Sequence, residues 1–277
     1  MRRGLGEGIR RETAGRIGTY NLGLKLLSNL KGTLMRFALR SIRVAASVVL
    51  VCWFTGLLLT GTARAQEGPE ANRKISGGGI TAPGWMGKVD ADSAKAGQSE
   101  KDAKLVQKGG ELDVTTGPAI TYWNPKNTAT GDYTVSATFT EPKFMNLNDH
   151  PHPYGVFIGG NDMGTGSGSL LYCAAYGNGT FIVRGFGPDA FQMGGRRPTA
   201  SDAVHKAAAV GQPVTQDIAM SVKGGTVSCS INGTVVATYD KAAVVAAGKL
   251  KATDGVYGIR FAHNTEAVVT NFKVTKP

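Results

Sequence analysis

The sequence is poor in charged and aromatic residues. Charged residues make up 18% of the 277 positions and aromatic residues 8%, whereas hydrophobic residues make up 42% and glycine occurs 39 times. Low charge combined with abundant glycine is typical of a turn-rich β protein and not of a helical one. The hydrophobic content is sufficient for a core, and the length corresponds to one or two domains.

Motifs for nucleophilic catalysis and for phosphate binding are also absent. The sequence contains no Gly-x-Ser-x-Gly, the turn that presents a nucleophilic serine in many hydrolases. The glycine-rich segment 164–169 is not followed by Lys-Ser or Lys-Thr, so it lacks the cation of a phosphate-binding loop. We interpret this segment as a flexible loop that follows a strand.

The net charge of +11 lies almost entirely in the first 65 residues. That segment holds 11 Lys or Arg and two Glu, which leaves only +2 for residues 66–277. After residue 65 the basic residues do not cluster, apart from the pair Arg196 and Arg197, and a phosphate-binding surface needs such a cluster. We therefore expect no nucleic-acid partner.

Residues 35–65 have the three parts of a secretory signal peptide. Arg36, Arg40 and Arg43 precede an uncharged apolar run at 44–60, and Ala-Arg-Ala at 63–65 provides a cleavage pattern. We expect a signal peptide helix that is cleaved before residue 66, export to the periplasm or the extracellular space, and no stable membrane span afterwards. The alternative is an N-terminal membrane anchor, because the apolar run is close to the lower limit of about 17 residues for a span.

The rest of the chain divides into three further parts. Met35 looks like a natural start, so we interpret residues 1–34 as an extension produced by an error in the assigned start site. The polar segment 66–79 ends in three glycines and is expected to be a disordered linker. Residues 80–277 then form one domain of ordinary size for a β sandwich.

Two cysteines follow the signal peptide, Cys173 and Cys229. Export permits a disulfide bond between them. We favour two buried free thiols, because the sequence alone does not bring the pair within bridging distance, and the pairing stays open at this point.

Alternating patterns predict many short strands in this domain. Apolar residues at 133, 135, 137 and 139 alternate with Thr or Ser, which is the pattern of a half-buried strand. Three hairpin turns are indicated by short segments rich in glycine and asparagine at 177–179, 224–225 and 232–233, which tolerate positive φ angles. The sequence therefore predicts an all-β fold, a two-sheet antiparallel sandwich.

The order of these segments resembles the concanavalin A-like lectin/glucanase jelly roll, in particular the 3-keto-disaccharide hydrolase type domain. The matching segments are Gly84-Trp85, 109–114 (GGELDV), 131–139 (GDYTVSATF), 155–158 (GVFI), 230–236 (SINGTVV), 255–260 (GVYGIR) and 269–274 (VTNFKV). The resemblance covers roughly residues 84–277. It implies a jelly-roll sandwich and an activity on glycosides.

The carboxylates that glycoside hydrolysis needs are not evident. Such hydrolysis uses two carboxyl groups that flank the scissile bond. Glucanases of this broad fold carry a Glu-x-Asp-x-x-Glu strand, which is absent here. Glu111 and Asp113 share one strand face, but we interpret them as exposed strand residues. Whether the protein is an enzyme is left open, and its catalytic residues are unknown.

The segment that begins at Asp149 contains residue types that bind metal ions. His150 and His152 lie there among prolines, and His263 is the one further contributor near a strand end. A polar loop is the simpler interpretation, so no metal site is expected. Asp90, Asp92 and the pair 161–162 offer oxygen ligands, but without a complete loop, so a structural calcium is the only cofactor left open.

Ligand binding is better supported by the residue types. Sugars are held by aromatic faces and by hydrogen-bonding side chains, and arginine offers several donors in a fixed geometry. Six residues at strand ends or within apolar strands are candidates for a glycan site: Tyr122, Trp123, His152, Tyr154, Arg184 and Arg260. Core packing of the aromatics and surface positions for the arginines are the competing interpretations.

Three hypotheses about function follow. The first is an exported carbohydrate-interacting module that binds a glycan or glycoconjugate on a concave sheet face. The second is a glycoside hydrolase of the 3-keto-disaccharide hydrolase type. The third is a non-catalytic structural or interaction domain of the cell envelope. The sequence does not indicate an oligomeric state.

Overall fold

The computed structural model describes residues 71–277 and contains two antiparallel β sheets. The first eight strands are β1 (Gly79–Ile80), β2 (Met86–Val89), β3 (Ala103–Lys108), β4 (Glu111–Thr116), β5 (Ile120–Ala129), β6 (Tyr133–Glu141), β7 (Tyr154–Asn161) and β8 (Ser169–Tyr176). The others are β9 (Thr180–Phe186), β10 (Ala190–Gln192), β11 (Thr199–Ala200), β12 (Val214–Lys223), β13 (Thr226–Ile231), β14 (Thr234–Asp240), β15 (Gly255–Phe261) and β16 (Glu266–Thr275). Two short helices, α1 (Ala91–Lys95) and α2 (Lys241–Val244), and a 3-10 turn at Glu100–Asp102 complete the described elements.

Each sheet has eight strands. The first sheet has the order β1-β3-β4-β16-β6-β12-β13-β14, and the second has the order β10-β9-β8-β7-β15-β5-β2, with β11 paired to β9. All neighbours pair antiparallel except β1 and β3. The prediction of an all-β, two-sheet antiparallel sandwich of jelly-roll type is confirmed, whereas the signal peptide helix lies outside the described residues.

The core lies between the two sheets and follows the period-two pattern. On β6 the side chains of Tyr133, Val135, Ala137 and Phe139 are buried, while the intervening Thr and Ser side chains are only partly covered. Alternate side chains of a strand point to opposite faces, so one face of β6 packs into the core. This is the alternation that the sequence predicts.

The three predicted hairpins are present. β8 pairs with β9 across 177–179, β12 with β13 across 224–225, and β13 with β14 across 232–233. In the last turn both Asn232 and Gly233 have positive φ angles, of 50° and 81°. Two successive positive φ angles are what a type I′ hairpin turn requires, and Asn-Gly is the pair that meets this requirement with least strain.

A disulfide bond connects the two sheets. Cys173 on β8 in the second sheet is bonded to Cys229 on β13 in the first, with 6.0 Å between their Cα atoms. The interpretation of the two cysteines as free thiols is therefore wrong. Both do point into the core as the alternation around Cys229 predicts, but the sheet registers that place them opposite each other are not visible in the sequence.

The segment before the first strand is attached to the domain. The backbone N–H of Arg73 donates to Oδ1 of Asn264 at 2.7 Å, and Nδ2 of Asn264 donates to the carbonyl of Ala71 at 3.0 Å. The later part of the segment expected to be a linker, from residue 71 onward, thus forms specific contacts. Among residues 71–277, no helix has the length and apolar character needed to cross a membrane.

Candidate functional site

The second sheet is covered by apolar side chains on both of its faces. On β8, Leu171, Cys173 and Ala175 pack into the core between the sheets. The alternate residues of β8 belong to a separate buried cluster, whose members are Trp123, Phe157, Leu170, Tyr172, Ala174 and Ile182. Because neighbouring residues of a strand point to opposite faces, this second cluster lies on the face of the second sheet that is turned away from the first. We call this the outer face.

The outer face contains a cavity of about 350 Å³. Strands β8, β9, β10 and β15 contribute its walls. The aromatic and hydrogen-bonding side chains that line it are Asp90, Tyr172, Tyr176, Arg184, Phe186, Phe191, Gln192, Arg260 and His263. Aromatic walls with a few polar groups are the usual composition of a small-molecule binding site.

Arg260 is fixed at the base of this cavity by Asp90. Its Nη1 donates to Oδ1 of Asp90 at 2.7 Å, its Nη2 donates to Oδ2, and Nη1 also lies 3.2 Å from Oγ1 of Thr121. The guanidinium carbon lies 5.2 Å from the ring centroid of Phe186 and 5.8 Å from that of Tyr172. Burial acts to lower the pKa of Arg260, but the Asp90 carboxylate and Tyr172 together outweigh it and raise that pKa above its ordinary value. Arg260 is therefore a permanently charged and rigid part of the wall.

Arg184 lines the same cavity, and among residues 71–277 no acidic side chain is paired with it. Its Nη2 donates to the carbonyl oxygen of Arg196 at 2.8 Å. A guanidinium carries five N–H donors. Within residues 71–277 no other acceptor contacts this one, and its Nε is a buried donor without a partner. The charge and most of the donors of Arg184 are thus left for a ligand.

A second cavity of about 520 Å³ adjoins the first. The two share Asp90, Phe186 and Ala190 as lining residues, so they form one groove across the outer face. Glycines of the loop between β7 and β8, which we interpreted as flexible, border the second cavity at Gly164, Gly166 and Gly168.

Three histidines meet beside the first cavity. One ring nitrogen from each of His150, His152 and His263 lies within 4.8 Å of the others. His152 is 6% exposed, whereas His150 is exposed and His263 lines the cavity. The strands explain the meeting, because β15 pairs with β7, so the residues that follow β15 lie next to those that precede β7.

The imidazoles are connected to neighbouring polar groups. Nε2 of His152 lies 2.8 Å from Nε2 of His150, and Nδ1 of His150 lies 2.7 Å from Oδ1 of Asp149. On the other side, Nδ1 of His152 lies 3.1 Å from Nδ2 of Asn148. Burial, followed by the proximity of His263 and His150, lowers the pKa of His152 to about 3. The ring of His152 is therefore neutral at physiological pH.

The structure brings together some of the six predicted glycan-binding residues. Arg184 and Arg260 line the first cavity, and His152 lies beside it next to His263. Trp123 belongs to the buried cluster of the outer face. Trp123, Arg184 and Arg260 therefore share one side of the second sheet, and His152 lies next to a residue of the cavity wall.

Tyr122 and Tyr154 lie on the other side, in the core between the sheets. Both are 0% exposed, and the Tyr154 ring stacks on Phe139 with 5.5 Å between centroids. Tyr122 and Trp123 are consecutive on one strand, so they cannot point to the same face. Core packing, the competing interpretation, is what the structure shows for both tyrosines.

Sequence reasoning missed the aromatic side chains of the cavity and the partner of Arg260. Tyr172 and Tyr176 on β8 and Phe186 on β9 alternate with core-facing residues and lie on the same face as Arg184, which the sequence did predict. Reading each apolar strand as two separate faces would have found this set. Asp90, by contrast, gave no local signal of its pairing.

The carboxylates considered for hydrolysis or for calcium are placed elsewhere or are engaged. Asp113 is on β4 in the first sheet and is paired with Lys108. Asp162 is paired with Lys251, and Asp90 is held by Arg260. The carboxylates that line the second cavity of the groove are those of Asp90, Asp92 and Asp189.

Comparison with known proteins adds structural similarities only. No family model matches the chain, and no curated protein does. A carbohydrate binding module of Bacillus subtilis, CBM66, is similar with 9% identity over 72% of this chain and 99% of its own, at a TM-score of 0.46. A Bacillus subtilis protein of unknown function with a galectin-like fold has 15% identity over 69% and 89%, at 0.44. The Caenorhabditis elegans galectin LEC-6 has 11% identity over 61% and 99%, at 0.36. Membership of the 3-keto-disaccharide hydrolase type stays a prediction.

Proposed function

We propose that the groove on the outer face of the second sheet binds carbohydrate, and that the chain acts as an exported carbohydrate-interacting module. Export rests on the signal peptide predicted at 35–65. A pyranose ring has an apolar face and a rim of hydroxyl groups. The groove offers matching groups, because Tyr172, Tyr176 and Phe186 supply aromatic surface and Arg184 supplies donors on the same wall.

The observation that carries this proposal is the unused donor set of Arg184. A charged group on a cavity wall with one acceptor for its five donors is incompletely paired. Ligand oxygens would complete it, and hydrogen bonds to a charged group contribute about 1.5–3 kcal/mol each. The fixed Arg260–Asp90 pair beside it gives the wall a rigid geometry, which lowers the entropy cost of binding.

A glycan array probed with the purified full chain tests the proposal. We expect binding to a restricted set of glycans, and a roughly tenfold or greater loss of affinity in Arg184→Ala, as the loss of one charged hydrogen bond implies. Arg197→Ala is the matched control, because Arg197 is an exposed loop arginine that does not line the groove. Absence of binding to every glycan, or equal loss in both variants, would refute the proposal.

The hydrolase hypothesis is the second candidate, and an assay of substrate turnover distinguishes it from the binding module. Incubation of the full chain with a 3-keto-glucoside would release the free sugar if the chain were an enzyme of that type. Binding without release of the sugar supports the binding module. Release of the sugar that depends on Arg184 would indicate that the same groove is a hydrolase active site. If neither occurs, the envelope interaction domain is the remaining hypothesis.

A further inference from the structure

The three histidines beside the groove form a set that the carbohydrate proposal does not use. They are His150, His152 and His263, and they come from two separate parts of the chain. Three imidazoles in contact have one chemical property in common, which is a nitrogen lone pair that binds divalent transition metals. We propose that this cluster is a three-histidine site for a divalent transition metal ion of the zinc type, with one coordination position open toward the groove.

The ring nitrogens of the three histidines can coordinate one metal ion after small movements of their side chains. Ligand nitrogens at about 2.1 Å from a tetrahedral zinc ion are separated by about 3.4 Å from one another. One ring nitrogen of each histidine already lies within 4.8 Å of the others, and Nε2 of His150 and Nε2 of His152 are 2.8 Å apart. Shifts on the order of 1 Å, which side-chain rotations provide, convert this arrangement into a coordinating one.

The partner of His150 has the position of an outer-shell group. A histidine that ligates a metal through one nitrogen commonly donates the other N–H to a carboxylate, which fixes the tautomer. Nδ1 of His150 lies 2.7 Å from Oδ1 of Asp149, so donation to Asp149 leaves Nε2 of His150 deprotonated and directed at the cluster.

The buried amide of Asn148 supports the same tautomer for His152. Asn148 is 8% exposed, and its Oδ1 has no hydrogen-bond partner within residues 71–277. The oxygen and nitrogen of an amide are assigned from their partners, so an exchanged orientation places Oδ1 at Nδ1 of His152. In that orientation Oδ1 accepts the N–H of His152, and Nε2 of His152 becomes available to the metal.

The alternative is a relay of hydrogen bonds without a metal. In it Asn148 donates to Nδ1 of His152, Nε2 of His152 donates to Nε2 of His150, and His150 donates to Asp149. The ring of His263 packs beside this relay, with 4.0 Å between its centroid and that of His152. A shared metal ion accounts for the position of all three rings.

The open position follows from the surroundings of the three rings. His152 is buried, whereas His263 forms part of the cavity wall together with Pro153 and Arg260. Three protein ligands leave a zinc ion one position for water or for a ligand oxygen. The cavity is where such an oxygen would reach the ion.

Isothermal titration with zinc chloride tests the proposal on the full chain. The chain is purified without a histidine tag, treated with EDTA and dialysed into metal-free buffer. We expect one zinc ion per chain, and a visible absorption band when cobalt replaces zinc. His150→Ala should weaken zinc binding by more than the roughly 10- to 100-fold that loss of an outer partner costs, and Asp149→Asn should fall within that range.

The fourth histidine of the chain provides the control. His205 contacts the carbonyl of Thr215 and is not part of the cluster. His205→Ala should retain full zinc affinity. The buried His152 can be replaced only at the risk of unfolding, so the test rests on His150→Ala. The side chain of His150 is 55% exposed, and its removal leaves the core intact.

Two results would overturn the site. One is the absence of stoichiometric zinc uptake by the wild-type chain, which would favour the hydrogen-bond relay. The other is uptake that His150→Ala retains or that His205→Ala loses. Because the titration contains no carbohydrate, its failure is distinct from a failure of the glycan proposal.

Discussion

Asp90 accepts hydrogen bonds from both terminal nitrogens of Arg260, a residue 170 positions later in the chain. The side chain of Arg260 is 7% exposed and that of Asp90 is 33% exposed. The contact therefore connects the end of β2 to the centre of the second sheet, at the boundary between the two cavities of the groove. A buried guanidinium is tolerated because its counter-ion is bidentate.

Removal of this counter-ion should destabilise the fold. Asp90→Asn leaves the charge of Arg260 buried without its partner, and we expect a loss of about 2–3 kcal/mol, at the low end for buried pairs because Asp90 is partly exposed. Urea denaturation measures the free energy of unfolding. Asp92→Asn, two positions along, is the control, since Asp92 is 96% exposed and its ion pair with Lys95 is on the surface. Equal stability of the two variants would show that the Asp90 pair contributes nothing.

The disulfide between Cys173 and Cys229 should be a major source of stability. It closes a loop across 56 positions and joins the two sheets. The loss of chain entropy in the unfolded state corresponds to about 4 kcal/mol for a loop of this length. The Cys173→Ala, Cys229→Ala double variant should unfold at a lower urea concentration than the oxidised wild-type chain.

Reductant distinguishes this effect from a packing defect. A phosphine reductant should lower the unfolding midpoint of the wild-type chain and leave that of the double variant unchanged. A linked pair of peptides in a non-reducing digest would identify the bond directly. An unchanged wild-type midpoint under reduction would contradict the stabilising role.

The sandwich could be predicted because its signals are local. The alternation along β6 and the Asn-Gly turn at 232–233 each lie within a few neighbouring residues, and the structure has them where the sequence indicates. Secondary structure of this kind depends on side-chain period and on turn geometry, both of which can be inferred from a single strand or hairpin.

The arrangement of the candidate site could not be predicted from the sequence because its contacts depend on sheet register. The pairing of Asp90 with Arg260 and the meeting of His263 with His152 join segments that are distant in the chain. The error at Tyr122 has a different cause. The strand that carries it is apolar on both faces, so hydrophobicity does not tell which side is the core.

The predicted signal peptide has a direct test. If residues 35–65 are a leader that is removed after Ala65, then the chain recovered from the periplasm or medium of a bacterial host should begin at Gln66. N-terminal sequencing or intact mass gives the answer. Ala65→Arg should block cleavage, whereas Arg64→Ala should not, because only small residues are needed at the first and third positions before the cut. Recovery of an uncleaved, membrane-bound wild-type chain would support the anchor instead.

An aromatic wall residue should matter for glycan binding. Tyr176 is half-buried on the outer face and lines the cavity with Arg184. Loss of its ring in Tyr176→Ala removes apolar and stacking contacts worth about 1–1.5 kcal/mol, which is roughly tenfold in affinity. Tyr176→Phe should keep most of the binding. Affinity is measured by titration with a bound glycan, and Tyr239→Ala is the control, because Tyr239 is a half-buried tyrosine on β14 in the first sheet. An equal loss of affinity in Tyr239→Ala would indicate a general effect on folding.

Glu141 should make the stability of the protein depend on pH. It is 4% exposed, its Oε1 accepts from the backbone N–H of Met145 at 3.1 Å, and its Oε2 has no hydrogen-bond partner within residues 71–277. Burial, with a smaller contribution from the charge of Glu266, raises the pKa of Glu141 to about 7. The folded state therefore holds a proton on this group between its unfolded pKa, about 4.5, and pH 7, whereas the unfolded state does not.

The sign of the effect follows from this difference. Where the folded state binds more protons, the free energy of unfolding falls as the pH rises. A pKa raised by between two and three units corresponds to about 3 kcal/mol, so the wild-type chain should be more stable near pH 4.5 than near pH 8 by up to that amount, as far as Glu141 is concerned. Glu141→Gln keeps the acceptor for Met145 and carries no charge, so its stability in urea should exceed that of the wild type at pH 8 and match it near pH 4.5. The control is Glu111→Gln, at an exposed hairpin position, which should leave the wild-type dependence of stability on pH unchanged. If the stabilities of the wild type and of Glu141→Gln changed in parallel with pH, the buried carboxyl would not hold its proton.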